Sequence, residues 1–189
     1  MNDDVLMMRK AKAQLADNWT NAVIATLIYV AITAIAGSTA IAELILAGPL
    51  SFGYILFLSC LVDTRNNNLS LLFKGFDRFV ETLIAGILIS VAASVGFALL
   101  IVPGIIVCLG FSMTFYIMAD DANISGIDAL KMSWNMMDGQ KMNLFCLWLR
   151  FIGWMLLCVI TCGIGLLWLQ PYMTVTTLNF YRRLRYGTF

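Results

Sequence analysis

The chain has 189 residues, 61% of them hydrophobic and 12% charged, with a net charge of +1 and no histidine. A soluble domain carries roughly 45–50% apolar and about 25% charged residues, so the composition points to a membrane protein and away from a nucleic-acid binder, which needs a basic footprint. Without histidine the commonest general base and the commonest metal ligand are missing, and no Ser-His-Asp set can form.

The first residues are amphipathic, with Met8, Ala11, Leu15 and Trp19 at helical spacing. No cleavable signal is expected, because the first apolar run is long enough to be a retained spanning helix. Beyond it the charges fall in clusters, and the gaps between clusters predict the spans. Thr82–Ala119 is 38 residues without a charge and Phe151–Tyr181 is 31. A spanning helix needs about 20 residues. The longer run therefore reads as two spans broken at Val102-Pro103-Gly104. The last run, extended back to Met142 across Arg150, is two spans broken at Cys162-Gly163-Ile164-Gly165. The first pair is expected to break between Glu43 and Pro49, with Gly48-Pro49 as punctuation. Six helices follow, near 19–42, 44–62, 82–102, 104–119, 142–162 and 164–181.

Lysine and arginine set the orientation. Arg9, Lys10, Lys12, Arg65, Lys74, Arg78, Lys131, Lys141, Arg182, Arg183 and Arg185 all fall in the segments that an even number of crossings separates. The remaining connectors have none, which makes both termini cytoplasmic and the outer turns very short. Asp17, Asp77 and Asp138 stand before the odd-numbered spans at intervals of 60 and 61 residues. The spacing predicts one domain, 1–189, built from three hairpin units, 1–62, 63–121 and 122–189, each preceded or entered by an amphipathic segment. In the second unit Leu69, Leu72, Phe73, Phe76 and Val80 share a helical face. In the third Ile127, Leu130, Trp134 and Met137 do so, behind a Ser125/Asp128 capping pattern. These segments either pack on the cytoplasmic ends of the spans or bind anionic lipid or a partner. The fold class is thus an all-α membrane protein of six transmembrane helices in three hairpins, multi-pass in the cell membrane.

Few residues carry chemistry. Arg150 lies on the order of 12 Å into its helix at 1.5 Å per residue. A charge there costs about 2.5–3.5 kcal/mol on insertion scales, so it is a functional candidate by default. Reflecting the last hairpin about its turn sets Arg150 level with Thr174–Thr177, and Trp154 lies one turn further on, within reach of a cation–π contact. The competing reading is an arginine that snorkels to the headgroups. Gln170-Pro171 breaks the last span, either as a simple kink or as the broken helix of a transport site. The candidate intramembrane polar site is therefore Arg150, Trp154, Gln170, Thr174 and Thr177. The cysteines Cys60, Cys108, Cys146, Cys158 and Cys162 lie in apolar runs. Cys158 and Cys162 could pair, but buried small hydrophobes are the simpler reading. With no four-ligand spacing and no phosphate loop, no metal or cofactor is expected. Dense Ala and Gly in the first and third spans predict close helix packing or a homo-oligomer face.

Several stretches resemble a known family: PGIIV at 103–107, SMTFYIMADD at 112–121, SGIDALKMS at 125–133, MDGQKMNLFCLWLRFIGW at 137–154 and GIGLLWLQPYM at 163–173. Together they look like the bacterial six-span integral membrane family called domain of unknown function 975, and more remotely like the membrane part of some glycerophosphodiester phosphodiesterases. The resemblance implies a six-span fold and a membrane location, and no activity. In that pattern a small polar residue is more usual where this chain has Arg150. Two functions stay open. One is a non-enzymatic membrane component that contacts the lipid bilayer, anionic lipid or another membrane protein. The other is a small transporter or channel for a solute or lipid.

Overall fold

The computed structural model describes residues 2–16, 18–37, 40–64, 67–161 and 163–187; of the helical residues 2–4, 36, 40–44, 157, 159 and 160 it describes the backbone alone. Among the described residues the chain is all helical. In order come α1 (Asn2–Leu15), α2 (Trp19–Ala36), α3 (Ala40–Thr64), a 3-10 segment (Leu69–Phe76), α4 (Phe79–Leu99), α5 (Ile101–Phe111), α6 (Thr114–Asp120), α7 (Gly126–Met136), α8 (Lys141–Ile160) and α9 (Leu166–Tyr186). Among the described residues three stretches are long and apolar enough to cross a membrane: Ile45–Thr64, Phe79–Leu99 and Ile101–Asp120, the last taking in α5 and α6. α1 and α2, bent by 97° at their junction, would add a fourth if counted as one broken span. α8 and α9 have spanning length, at 20 and 21 residues, but carry Arg150 in one and Gln170, Asn179 and three arginines in the other.

Two of the expected breaks fall elsewhere. α2 ends at Ala36 and α3 begins at Ala40, so Glu43 lies inside the first turns of α3 and Gly48-Pro49 in its interior. Gly48 is there for packing. A Cβ on it would stand 2.3 Å from the Thr82 carbonyl oxygen of α4, with Gly86 of α4 close by. The second break is the single extended residue Leu100, at φ −168° and ψ 159°, rather than Val102-Pro103-Gly104. Pro103 sits in the first turn of α5, where a missing N–H costs nothing. Gly104 lets α5 approach Gly96 of α4, where a Cβ would lie 2.9 Å from the Gly104 Cα. Both signals were read as punctuation, and both are helix-packing surfaces. The third break agrees with its motif: the described turn residues include Gly163, at φ +84°, whose N–H donates to the Cys158 carbonyl at 2.8 Å. Cys162 and Asp17 lie outside the described residues, so the Cys158–Cys162 pairing and the first aspartate of the repeat do too.

The amphipathic segments all exist, with faces that differ from the expected ones. In α1, Met7, Ala11 and Leu15 are fully buried. The second segment is a 3-10 helix, which repeats every three residues. Its inner face is therefore Leu69, Leu72 and Gly75, with Leu71 beside it, while Phe73 and Phe76 point outward. Phe73, Phe76 and Phe79 form a stacked row with centroids 6.4 and 6.3 Å apart. The inner face touches α3 backbone to backbone: a Cβ on Gly75 would lie 1.9 Å from the Pro49 oxygen, and one on Gly53 1.9 Å from the Leu72 oxygen. In α7 the buried residues are Gly126, Ala129, Leu130 and Ser133, with Met137 just beyond, whereas Ile127 and Trp134 are exposed. Ser125 caps this helix, its hydroxyl accepting from the Asp128 N–H at 3.2 Å.

The core is centred on α9, which packs against α1, α2, α3 and α8. Every residue from Val175 to Tyr181 is buried. Seven consecutive positions take in all sides of a helix, so this stretch has no face left outward. By contrast α4 buries Thr82, Ala85 and Gly96 and exposes Leu88, Val91, Val95 and Phe97.

Candidate functional site

The five sequence candidates go to different places. Arg150 is exposed on the surface of α8, while its neighbour Phe151 is buried and meets the Tyr172 ring edge-on at 5.5 Å. Thr174 and Thr177 turn into the core on α9. Their hydroxyls donate to the Gln170 and Met173 carbonyls of their own helix, at 3.0 and 2.9 Å. Thr174 lies beside the Tyr54 hydroxyl and Thr177 beside that of Tyr116. Tyr116 also donates to the Thr174 carbonyl at 3.3 Å, and Tyr54 pairs with the buried Thr26 hydroxyl at 2.9 Å. These groups form a polar seam between α2, α3, α6 and α9 that satisfies itself. Gln170 is half-buried, and Trp154 is 58% exposed.

Trp154 instead belongs to a cleft of about 540 Å³. One end lies at the α1–α2 bend, with Lys12 and Trp19. The other lies at the α8–α9 turn, with Thr161 and Gly165. Trp154, Cys158, Trp168, Leu169 and Tyr172 complete the walls. The Tyr172 hydroxyl donates to the Met8 carbonyl at 3.2 Å, and the Asn179 amide donates to the Gln14 side chain at 2.9 Å. The two contacts advance together along both helices, so α1 runs beside α9 and carries Lys12 to the cleft. The walls hold three tryptophans, one tyrosine and one lysine, a composition typical of small-ligand sites. Sequence reasoning took only Trp154 from this set. A signal was present in Trp19, Trp154 and Trp168, amphipathic rings near helix ends or turns.

In a second polar region, charges from four helices come together. Arg182 of α9 pairs with Asp63 of α3 at 2.6 Å, and Arg185 pairs with Asp120 of α6 at 3.1 Å. Asp120 also accepts from the hydroxyls of Tyr181, at 3.0 Å, and of Tyr186. Accepting that proton from Tyr186 holds it on the phenol and raises the Tyr186 pKa above its ordinary value. Arg78, just before α4, donates to the carbonyls of Met118 and Asp121 at 3.4 Å and to that of Ile124. It thus serves the electronegative end of α6. Glu81, one turn on, accepts from the Gly126 N–H at the start of α7 at 2.7 Å. These residues tie helices to one another. Among the described residues no group of three or more His, Cys, Asp or Glu converges on a metal-sized space.

The segment that carries the α6–α9 ties also carries the family pattern. The family described as Protein of unknown function (DUF975) matches residues 91–187, just over half of the chain. The chain belongs to this family. No curated protein and no solved structure matches it. The DUF975 match begins in mid-α4 and runs to the end of α9, so it takes in Arg150, Gln170, Asp120, Arg185 and the α8–α9 walls of the cleft, and leaves out Lys12 and Trp19.

Proposed function

We propose that this DUF975 member is a six-span integral protein of the cell membrane that works without catalysis by contact with lipid or with other membrane proteins. The observation that carries this reading is the division of its surface. One flank presents Leu88, Val91, Val95 and Phe97 of α4 outward, and the Phe73–Phe76–Phe79 row ends at the first residue of the same helix. The ends of α3, α6 and α9 carry the charges, and those charges pair between helices.

The six spans would be α2, α3, α4, α5 with α6, α8 and α9, in three hairpins, and α1, which runs beside α9 and shares the cleft with the α8–α9 turn, would lie within the bilayer rather than on its cytoplasmic face. Support comes from the neighbours in sequence that pack together: α2 with α3, α4 with α5, and α8 with α9. The polar character of α9 does not oppose a spanning role, since Thr176, Thr177 and Asn179 are buried against protein. In a bilayer such groups are tolerated where neighbouring helices cover them. The transport alternative rested on the hairpin repeat, Arg150 and the Gln170-Pro171 break; Arg150, Gln170 and Pro171 are not among the residues that line the cleft.

Two measurements test the reading. Asn67→Cys should stay unlabelled by a membrane-impermeant maleimide added to whole cells and become labelled after lysis. Labelling from outside would overturn the orientation. In proteoliposomes, solute flux above that of protein-free vesicles, reduced by Arg150→Ala, would replace contact with transport.

A further inference from the structure

We infer that the cleft between α1, α8 and α9 is a site for one acyl chain of an anionic phospholipid whose headgroup is held by Lys12. The inference rests on the membrane reading above and gives it a ligand and a place. The cleft's volume of about 540 Å³ lies within the range of small-ligand sites, about 300–1,000 Å³. Its α8 and α9 walls, Trp154 to Thr161 and Gly165 to Tyr172, each extend about 10 Å at 1.5 Å per residue. That is a long, ring-sided slot suited to a hydrocarbon chain, since rigid aromatics offer apolar area at low conformational cost.

Two observations select a lipid over a soluble ligand. The walls continue onto an exposed apolar surface: Trp154 is 58% exposed, Leu156 62% and Ile164 62%. In a bilayer those residues face acyl chains, so a lipid enters sideways without crossing water. The charge at the cleft is also positive and, among the described residues, uncommitted. Lys12 makes no hydrogen bond or ion pair with the described residues, whereas Lys131 and Lys141 each stand within 4 Å of an aspartate. A lysine with an apolar stem and a free ammonium can lay the stem along the cleft and offer the ammonium to a phosphodiester.

The test uses the full chain in phosphatidylcholine vesicles containing increasing fractions of brominated phosphatidylglycerol or brominated phosphatidylcholine, with tryptophan fluorescence as the readout. One lysine near the surface contributes about 1 kcal/mol toward an anionic lipid, or about fivefold. The parent should therefore reach half-maximal quenching at about fivefold lower mole fraction of the anionic lipid. Lys12→Gln should abolish that difference, Lys12→Arg should keep it, and Lys131→Gln should keep it. Equal quenching by both lipids in the parent, or a preference that survives Lys12→Gln, overturns the site. So does a loss in Lys131→Gln equal to that in Lys12→Gln, which would mean a general surface field. Reversal by millimolar inorganic phosphate would assign Lys12 to a soluble anion and overturn the lipid. Vesicle flotation separates the two levels: a chain that does not float with the vesicles sinks the membrane reading itself, while a floating chain without lipid preference sinks only this site.

Discussion

The Ser133 hydroxyl of α7 donates to the Gly110 carbonyl of α5 at 2.8 Å and accepts from the Met113 N–H at 3.2 Å. The helix between α5 and α6 breaks at residues 112–113, where Ser112 N–H turns back to the Leu109 carbonyl. That break orphans one acceptor and one donor in a buried place, and a single side chain from another helix serves both. Gly110 has room only for the Trp134 ring, which a Cβ there would meet at 2.5 Å.

Ser133→Ala should therefore destabilise the fold by about 1–3 kcal/mol, the cost of leaving buried polar backbone unpaired. A thermal unfolding scan in mild detergent reads this as a lower midpoint. An unchanged midpoint would mean that the break is satisfied by other means.

Gly75→Ala and Gly53→Ala should each be worse than an ordinary overpacking change, which costs about 1–3 kcal/mol. The added methyl meets backbone oxygen at 1.9 Å in both cases, and backbone cannot rotate away as a side chain can. The expected result is loss of monodisperse protein on size-exclusion chromatography. A well-behaved variant at either position would show that the 3-10 segment docks less tightly on α3.

Tyr186 should titrate above its ordinary value of about 10. The Asp120 carboxylate that accepts its proton is the first cause. A phenol raised on folding contributes stability that is complete below its unfolded value and lost as pH rises through its folded value. On the alkaline side the tie between α6 and the end of α9 therefore persists past the ordinary phenol value before it weakens. Asp120→Asn should bring the Tyr186 transition back down, measured by ultraviolet difference titration against a Tyr186→Phe control. No movement would mean that the hydrogen bond does not persist in solution.

The α4–α5 tip offers a test of depth. Leu99, Leu100, Ile101 and Val102 are 65–70% exposed and carry no polar side chain. A spin label at Leu100→Cys in vesicles should collide with oxygen more readily than with a water-soluble nickel chelate. Preference for the chelate would put this turn in water and argue against a bilayer-embedded tip.

Much of the architecture was legible because composition and charge spacing respond directly to a bilayer. The all-helical character and the long apolar stretches came from charge gaps, and the turn at 163–165 came from its glycines. The other breaks were misread because glycine and proline serve two purposes. Gly48 and Gly104 are small where another backbone comes near, and sequence does not say which helix will arrive. The second amphipathic face was misread because a 3-10 period was mistaken for 3.6. As for the site, Arg150 was conspicuous in sequence but stands on the outside of α8. Lys12 was inconspicuous among other basic residues, and only the run of α1 beside α9 carries it to Trp168 and Tyr172.

The position of α9 has a consequence for how the molecule is made. Its stretch from Val175 to Tyr181 is enclosed on all sides, and the helices α1, α2, α3 and α8 that pack on it all precede it in the chain. Everything it packs against is synthesised first, so the growing chain passes through a stage with an unfilled centre. Arg182 and Arg185 can find Asp63 and Asp120 only when that centre is filled. α9 thus closes the bundle formed by the helices before it, and the two ion pairs report that it has arrived.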